Sequence, residues 1–319
     1  MWKEISYKEI EGIRLGNATD DVAKTGVTVV IFEGRAIGGV DISGGGPASR
    51  EVSLLDPITA ESSINALVLS GGSAFGLAAS DGVVKYLEEK DMGYQTFFAK
   101  VPLVCQSCIY DLSYGSSKIR PDAKMGYQAC VNSEKEDFCG GNKGAGVGAT
   151  VGKICGMPQA MNSGLGVYAV KVGAIKMLAI VAVNALGDIY NYKTGEKIAG
   201  LLDIERKEFI NTCDELDKIE SKKDLLNSNT TIGVVITNAK FNKAEMNKIA
   251  SMARSGYSRS INPVGTMADG DSLYAFSVGE VEADINMVGT MAANVMSEAI
   301  IRAIEDSKVS DEEYLSNIK

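Results

Sequence analysis

Histidine is absent from all 319 residues. Its absence excludes Ser-His-Asp and Cys-His catalysis within the chain and removes the commonest zinc ligand. A hydrolase built from this sequence needs another base: a lysine, a carboxylate or an α-amino group. The α-amino group has an ordinary pKa of about 7.7–8.0, which suits proton abstraction at neutral pH. Positive charge is also short. Lys and Arg number 32 against 41 Asp and Glu, a net charge of −9, so the electrostatic footprint of a nucleic-acid binder is missing. No apolar core follows the charged start "MWKEISYKEIEGIRLG", and no secretory signal is expected. The longest apolar region, "GLGVYAVKVGAIKMLAIVAVNALGDIY", is broken by Lys171, Lys176 and glycines. It reads as consecutive buried strands rather than a membrane span. The six cysteines (105, 108, 130, 139, 155 and 213) are scattered, as expected of reduced cytoplasmic thiols.

What is present is an ordinary globular composition, 45% hydrophobic and 23% charged. "GVTVVIF" (26–32) and "INALVLS" (64–70) read as strands, and "VPLVCQSCIYDL" (101–112) is strand-like. Two or three strands follow across 165–191, and another is expected over 271–279. Helices are expected after residue 73 with Ser73 as N-cap, from Pro121 to 134, over 242–257 and over 285–306. The charged stretch 203–224 reads as a helix-leaning surface excursion or linker. Central strands with helices on either side predict sheets covered by helices in a single domain, 1–319.

Several motifs invite chemistry. "GAGVGATVGK" (144–153) fails the phosphate-loop pattern at both ends: Val147 stands where the first glycine belongs, and Ile154 follows Lys153. Its glycines are better explained by close backbone approach in a packed turn. "CQSC" (105–108) lacks a second pair and sits inside a strand pattern, so buried thiols are expected rather than a zinc or redox site. "MADGDS" (267–272) spaces Asp269 and Asp271 two apart. Taken alone it is a turn, but if strand geometry has begun, alternation puts both carboxylates on one face. A lysine ending a glycine loop, as Lys153 does, is usually solvated. Asn184 either lies in a buried strand with its amide partnered or ends that strand at "NALGD".

One further stretch raises a sharper question. In "LLNSNTTIGVVITNAK" (225–240) a run of strand formers starts directly behind Asn229-Thr230. This is either a loop feeding a strand or a point at which the chain is cut.

Six segments, "LSGGSAFGLAASDGVVKYLEE" (69–89), "MGYQAC" (125–130), "GAGVGATVGK" (144–153), "VNALGD" (183–188), "NTTIGVVITNA" (229–239) and "PVGTMADGDSLYA" (263–275), agree in order and spacing with one family. The chain resembles the DmpA-like self-processing aminopeptidases, which include L-aminopeptidase/D-esterases, β-peptidyl aminopeptidases and nylon-oligomer hydrolases. The resemblance implies an α+β, four-layer αββα sandwich like that of the N-terminal-nucleophile hydrolases, with DmpA/ornithine acetyltransferase-type connectivity. It implies self-cleavage between Asn229 and Thr230 into an α-chain (1–229) and a β-chain (230–319), with Thr230 as nucleophile. Lys153, Asn184, Asp269 and Asp271 correspond to active-site residues of the nylon-oligomer branch, and Tyr127 matches a tyrosine implicated in the aminopeptidases. "VPLVCQSCIYDL" and "GGGPASREVSLL" depart from the family pattern at segments expected to shape the substrate pocket.

The implied enzyme is a hydrolase of small peptides, amino-acid amides or ω-amino oligomers. It works through a Thr230 acyl-enzyme without metal or cofactor, with no nucleic-acid or membrane partner, in the cytoplasm, as a homo-oligomer of αβ units, a tetramer in the family. The alternatives are an acyltransferase of the ornithine acetyltransferase type and an unprocessed, non-catalytic homologue.

Overall fold

A computed structural model describes residues 2–34, 36–60, 63–135, 137–219 and 229–318. In chain order the main elements are β1 (Ile13–Asp20), β2 (Thr25–Phe32), β3 (Ile37–Ile42), β4 (Ala66–Ser70), α1 (Ala79–Glu89), β5 (Val104–Cys108) and α2 (Ala123–Asn132). Next come β6 (Leu165–Val172), β7 (Ile175–Asn184), β8 (Thr230–Ala239), α3 (Lys243–Ala253), α4 (Ser255–Ser260), β9 (Ser272–Val281), α5 (Ile285–Glu305) and α6 (Asp311–Asn317).

Two sheets result. The first runs Lys3–Glu4, β6, β7, β8, β9, β3, and the second runs β1, β2, β4, β5, Ala48–Arg50. Neighbours are antiparallel except β8 beside β9 and β4 beside β5, which run parallel. Strand alternation then sorts the side chains. Ile232, Val234 and Ile236 of β8 and Leu178, Ile180 and Ala182 of β7 meet Leu67, Leu69, Phe32 and Phe276 between the sheets. Val235, Val181 and Val183 point the other way, into a core shared with Met246, Ile249, Tyr257, Val295 and Met296 of α3, α4 and α5. On the far side, α1 and α2 cover Val27, Val29, Ala66 and Val68 of the second sheet. The layers are therefore helix, sheet, sheet, helix. Each fully buried Ile or Val of the middle layer contributes about 1.5–3 kcal/mol relative to exposure.

Some boundaries differ from expectation. Ser73 does not cap a helix: it has φ of +53° and lies in the 3-10 turn Ser73–Ala78, and α1 starts only at Ala79. The helix expected from Pro121 begins at Ala123, with Asp122 as cap accepting from Met125 N at 2.9 Å. The helix expected over 242–257 is divided at Arg254 into α3 and α4. In the charged stretch 203–224 the described residues hold one short helix, Thr212–Leu216, and residues 220–224 lie outside them. Among the described residues no helix is long and apolar enough to cross a membrane.

Candidate active site

The site grows from the paired ends of β7 and β8. Asn184 is the last residue of β7 and Thr230 the first of β8, and they are cross-strand partners. Both continue the alternation that sends Ala182 and Ile232 between the sheets, so both side chains belong to the inter-sheet side. Asn184 is fully buried and its amide is hydrogen-bonded through both its oxygen and its nitrogen. Oδ1 accepts from Thr150 N at 3.1 Å and Lys153 Nζ at 2.9 Å, while Nδ2 donates to Tyr110 O at 2.9 Å. Both readings of Asn184 thus hold, since it ends a strand and is buried.

Lys153 is no solvated cap. It is 2% exposed, and its ammonium also donates to the Asn184 carbonyl at 3.0 Å. The glycine run ahead of it brings the backbone close: Gly152 N donates to Gly187 O and Lys153 N to Leu186 O, each at 3.1 Å.

The acidic loop closes the other side. β9 begins only at Ser272, so strand alternation does not orient the two aspartates; backbone donors do. Asp269 Oδ2 accepts from Thr266 N at 2.9 Å and Thr266 Oγ1 at 2.6 Å. Asp271 accepts from Gly265 N at 2.9 Å and from Thr231 N at 2.5 Å, one residue beyond Thr230. The glycine-rich loop before Pro47 packs on this turn. Gly46 N donates to Asp269 O at 2.9 Å, and a Cβ on Gly44 would lie 2.3 Å from Asp271 N.

Between these walls lies the Asn229–Thr230 junction. Asn229 pairs with Asp269 as a parallel bridge, and Gly270 N donates to the Asn229 carbonyl at 3.0 Å. Thr230 Oγ1 donates to that same carbonyl oxygen. A Cβ on Gly270 would sit 2.8 Å from both Gly46 O and Thr230 Oγ1, so only glycine lets this N–H approach.

Burial dominates the electrostatics. It lowers the Lys153 ammonium to about 7, against the opposing pull of Asp269, Asp271 and Asp111. Burial first, and then the Asp269 charge, push Asp271 upward; the N–H donors of Thr231 and Gly265 and the charge of Lys153 oppose this. Asp111 is pushed up to about 6 by burial, opposed by hydrogen bonds from Thr25 and Gly72.

Thr230, Asn184, Lys153, Asp269 and Asp271 are therefore drawn into one buried constellation. Tyr127 is not among them. It lies on α2, where its hydroxyl donates to Glu89 at 2.7 Å and its ring packs edge-on to Tyr86. Three contributors escaped the sequence reading: the Gly270 N–H, the Tyr110 carbonyl and the Asp111 carboxylate. Cys105 and Cys108 are buried within β5, as expected.

Comparison with known proteins shows the family and the fold. The model of the family described as Peptidase family S58 matches residues 7–311. An uncharacterized aminopeptidase of Mycobacterium leprae is 34% identical, with 94% of this chain and 90% of that protein covered. A 6-aminohexanoate-oligomer endohydrolase of Agromyces sp. is 28% identical, covering 94% of this chain and 86% of that protein. Among solved structures, the L-aminopeptidase D-Ala-esterase/amidase of Ochrobactrum anthropi, described as a variant of the Ntn hydrolase fold, superposes with a TM-score of 0.69. It has 16% identity and covers 94% of this chain and 85% of that one. A Burkholderia sp. beta-aminopeptidase gives 0.68 at 15% identity, covering 99% and 94%. These two likenesses show the fold, an α+β sandwich of the Ntn hydrolase kind.

Proposed function

The chain belongs to peptidase family S58 and is an amidohydrolase of the aminopeptidase type; from that premise we propose that Thr230 first cuts the chain and then serves as its N-terminal nucleophile. The observation that carries this reading is the hydrogen bonding of the Asn229 carbonyl, which accepts from both Gly270 N and Thr230 Oγ1.

In the uncut chain, Thr230 Oγ attacks the Asn229 carbonyl carbon. Negative charge develops on the oxygen already held by Gly270 N–H, and one such donor stabilises a transition state by about 3–4 kcal/mol. The Oγ proton leaves through Lys153, whose amine is partly neutral near pH 7 and which is tied to Thr230's cross-strand partner Asn184. The C–N bond breaks as the Thr230 nitrogen takes up a proton. An Asn229–Thr230 ester remains beside the amine that this step frees, and water hydrolyses the ester to the Asn229 carboxylate and the Thr230 hydroxyl. In the mature enzyme that amine and Lys153 are the available bases, and the substrate acyl group replaces Asn229 on Oγ. Asp269 and Asp271 hold the loop that carries Gly270 and fix the Thr231 backbone.

The substrates are small peptides, amino-acid amides or ω-amino oligomers, the last class on the strength of the Agromyces relative's name. We place the enzyme in the cytoplasm, as its six cysteines are free, and as an oligomer of αβ units. Intact-mass analysis of the purified protein tests the reading. Two fragments meeting at 229/230, with hydrolysis of an aminoacyl anilide or a 6-aminohexanoate oligomer, are expected; an active, unbroken chain rejects it.

A further inference from the structure

Helix α6, Asp311–Asn317, begins where the match to the family model ends. Its buried side chain is Tyr314, whose ring stacks on Tyr114 at a centroid distance of 5.4 Å and whose hydroxyl donates to Met157 O at 2.9 Å. The Arg206 guanidinium lies over the Tyr314 ring at 4.8 Å. It donates to Asp311 at 2.8 Å and to the carbonyls of Pro158 at 2.7 Å and Ala160 at 2.8 Å. Backbone pairing completes the contact: Gly115 N donates to Asn317 O at 2.8 Å, and Tyr114 bridges Ile318. A helix of seven residues has no stability of its own in water, so these contacts hold it.

Both segments that α6 grips lead into the site. Tyr114 N donates to Asp111 O at 3.0 Å. The Asp111 carboxylate takes Thr25 Oγ1 at 2.6 Å and Gly72 N at 2.7 Å, and the adjacent Tyr110 carbonyl receives Asn184 Nδ2 at 2.9 Å. Met157 opens a 3-10 turn just beyond Lys153, and Gly156 N donates to Lys153 O at 2.9 Å.

We propose that Tyr314 is a positioning residue, through which α6 clasps the 110–114 loop and the 153–157 turn together and so fixes Asn184 and Lys153 relative to Thr230. This rests on the reading of Thr230 as nucleophile with those two partners. A loosened clasp lets the 110–114 loop drift. Asp111 is one of the charges that favour the protonated Lys153, so its withdrawal makes Lys153 titrate at lower pH.

The test uses the full chain with Tyr314→Leu and Tyr314→Phe, reading kcat and KM per mole of processed chain across pH. Tyr314→Leu is expected to lower kcat about tenfold with KM held within about twofold, because small misplacements of catalytic groups act on the chemical step. The pH midpoint of activity should move down. Tyr314→Phe keeps the stack on Tyr114 but loses the hydrogen bond to Met157 O, so its kcat and midpoint should fall between those of Tyr314→Leu and wild type. A residue that only adds stability lowers the melting temperature and yield yet leaves kcat per processed chain and the midpoint at wild-type values; that result overturns the proposal. Should Tyr314→Leu not fold, Asp311→Ala replaces it. The Asp311 side chain is 58% exposed and pairs with Arg206, so its loss should move the midpoint in the same direction, and an unmoved midpoint again overturns the clasp. Failure of the underlying reading is seen separately, as an uncut or inactive wild-type protein.

Discussion

Asn184 and Thr230 stand opposite each other at the paired ends of β7 and β8. Directly opposed residues on antiparallel strands have Cβ atoms about 4.5–5.5 Å apart, so the threonine hydroxyl and the asparagine amide share one small space. A one-residue slip would turn Thr230 out of the inter-sheet space. The buried run Ile232, Val234, Ile236 prevents that slip, because it would have to leave the core with it. The hydrophobic pattern of β8 therefore aims the nucleophile.

Removing the hydroxyl should stop the chain from maturing. Thr230→Ala is expected to migrate as one band of full length and to show no hydrolysis. Thr230→Ser keeps the oxygen and should be cut, though more slowly because its freer side chain is less well aimed. Denaturing electrophoresis over hours after purification distinguishes the two.

The rate of self-cleavage should rise with pH through about 7, where buried Lys153 loses its proton. The sign follows from the depressed lysine pKa: the neutral amine, which can accept a proton, becomes the major form above it. The stability linkage runs the same way. Between about 7 and the ordinary lysine value of about 10.4, an unfolded chain binds this proton and the folded one does not, so this site's contribution to stability grows as pH rises. Lys153→Met should remove the rise in cleavage and slow the reaction by about 10²–10⁴, the usual range for a general base. A cleavage profile flat from pH 6 to 8.5 in the wild type would contradict the assignment.

Gly270→Ala tests the backbone donor. The added methyl carbon meets Thr230 Oγ1 and Gly46 O at 2.8 Å, so the loop must shift and the N–H to Asn229 O is lost or lengthened. Self-cleavage should slow by about 10²–10³ while the protein still folds. Time-resolved intact mass reads the rate, and circular dichroism with a melting curve reads the fold.

The thiols should divide by burial. Cys105 and Cys108 are buried, their thiols pushed up to about 12 by desolvation, whereas Cys139 and Cys155 are exposed. Iodoacetamide on the native protein should label Cys139 and Cys155 first and reach Cys105 and Cys108 only after denaturation. Peptide mapping settles this. Early labelling of Cys105 would show that β5 opens on the assay timescale.

Much of the scaffold was legible because its strands are continuous β-branched runs that need no distant partner to be recognised. β2, β4, β7 and β8 fall within a few residues of their expected places. The site was legible only in part. Lys153 reads locally as a solvated loop end; its burial depends on Leu186 and Asn184, which arrive from β7 and beyond. Asp269 and Asp271 were found, but the turn's own N–H groups orient them rather than strand alternation. Asp111 could not be assigned from its neighbours, since its partners Thr25 and Gly72 lie 86 and 39 residues away. Tyr127 entered through family resemblance, whereas the tyrosine that the fold brings to Asn184 is Tyr110, through its backbone.

β8 is hydrogen-bonded on both flanks, to β7 on one side and β9 on the other. A break just ahead of it frees a chain terminus but no detachable fragment. The two polypeptides would remain interleaved, β8 and β9 of the smaller piece wedged between β7 and β3 of the larger. Parting them would demand dismantling the sheet, so they should co-elute in native chromatography and separate only in denaturant, and once separated should not readily regain activity on mixing.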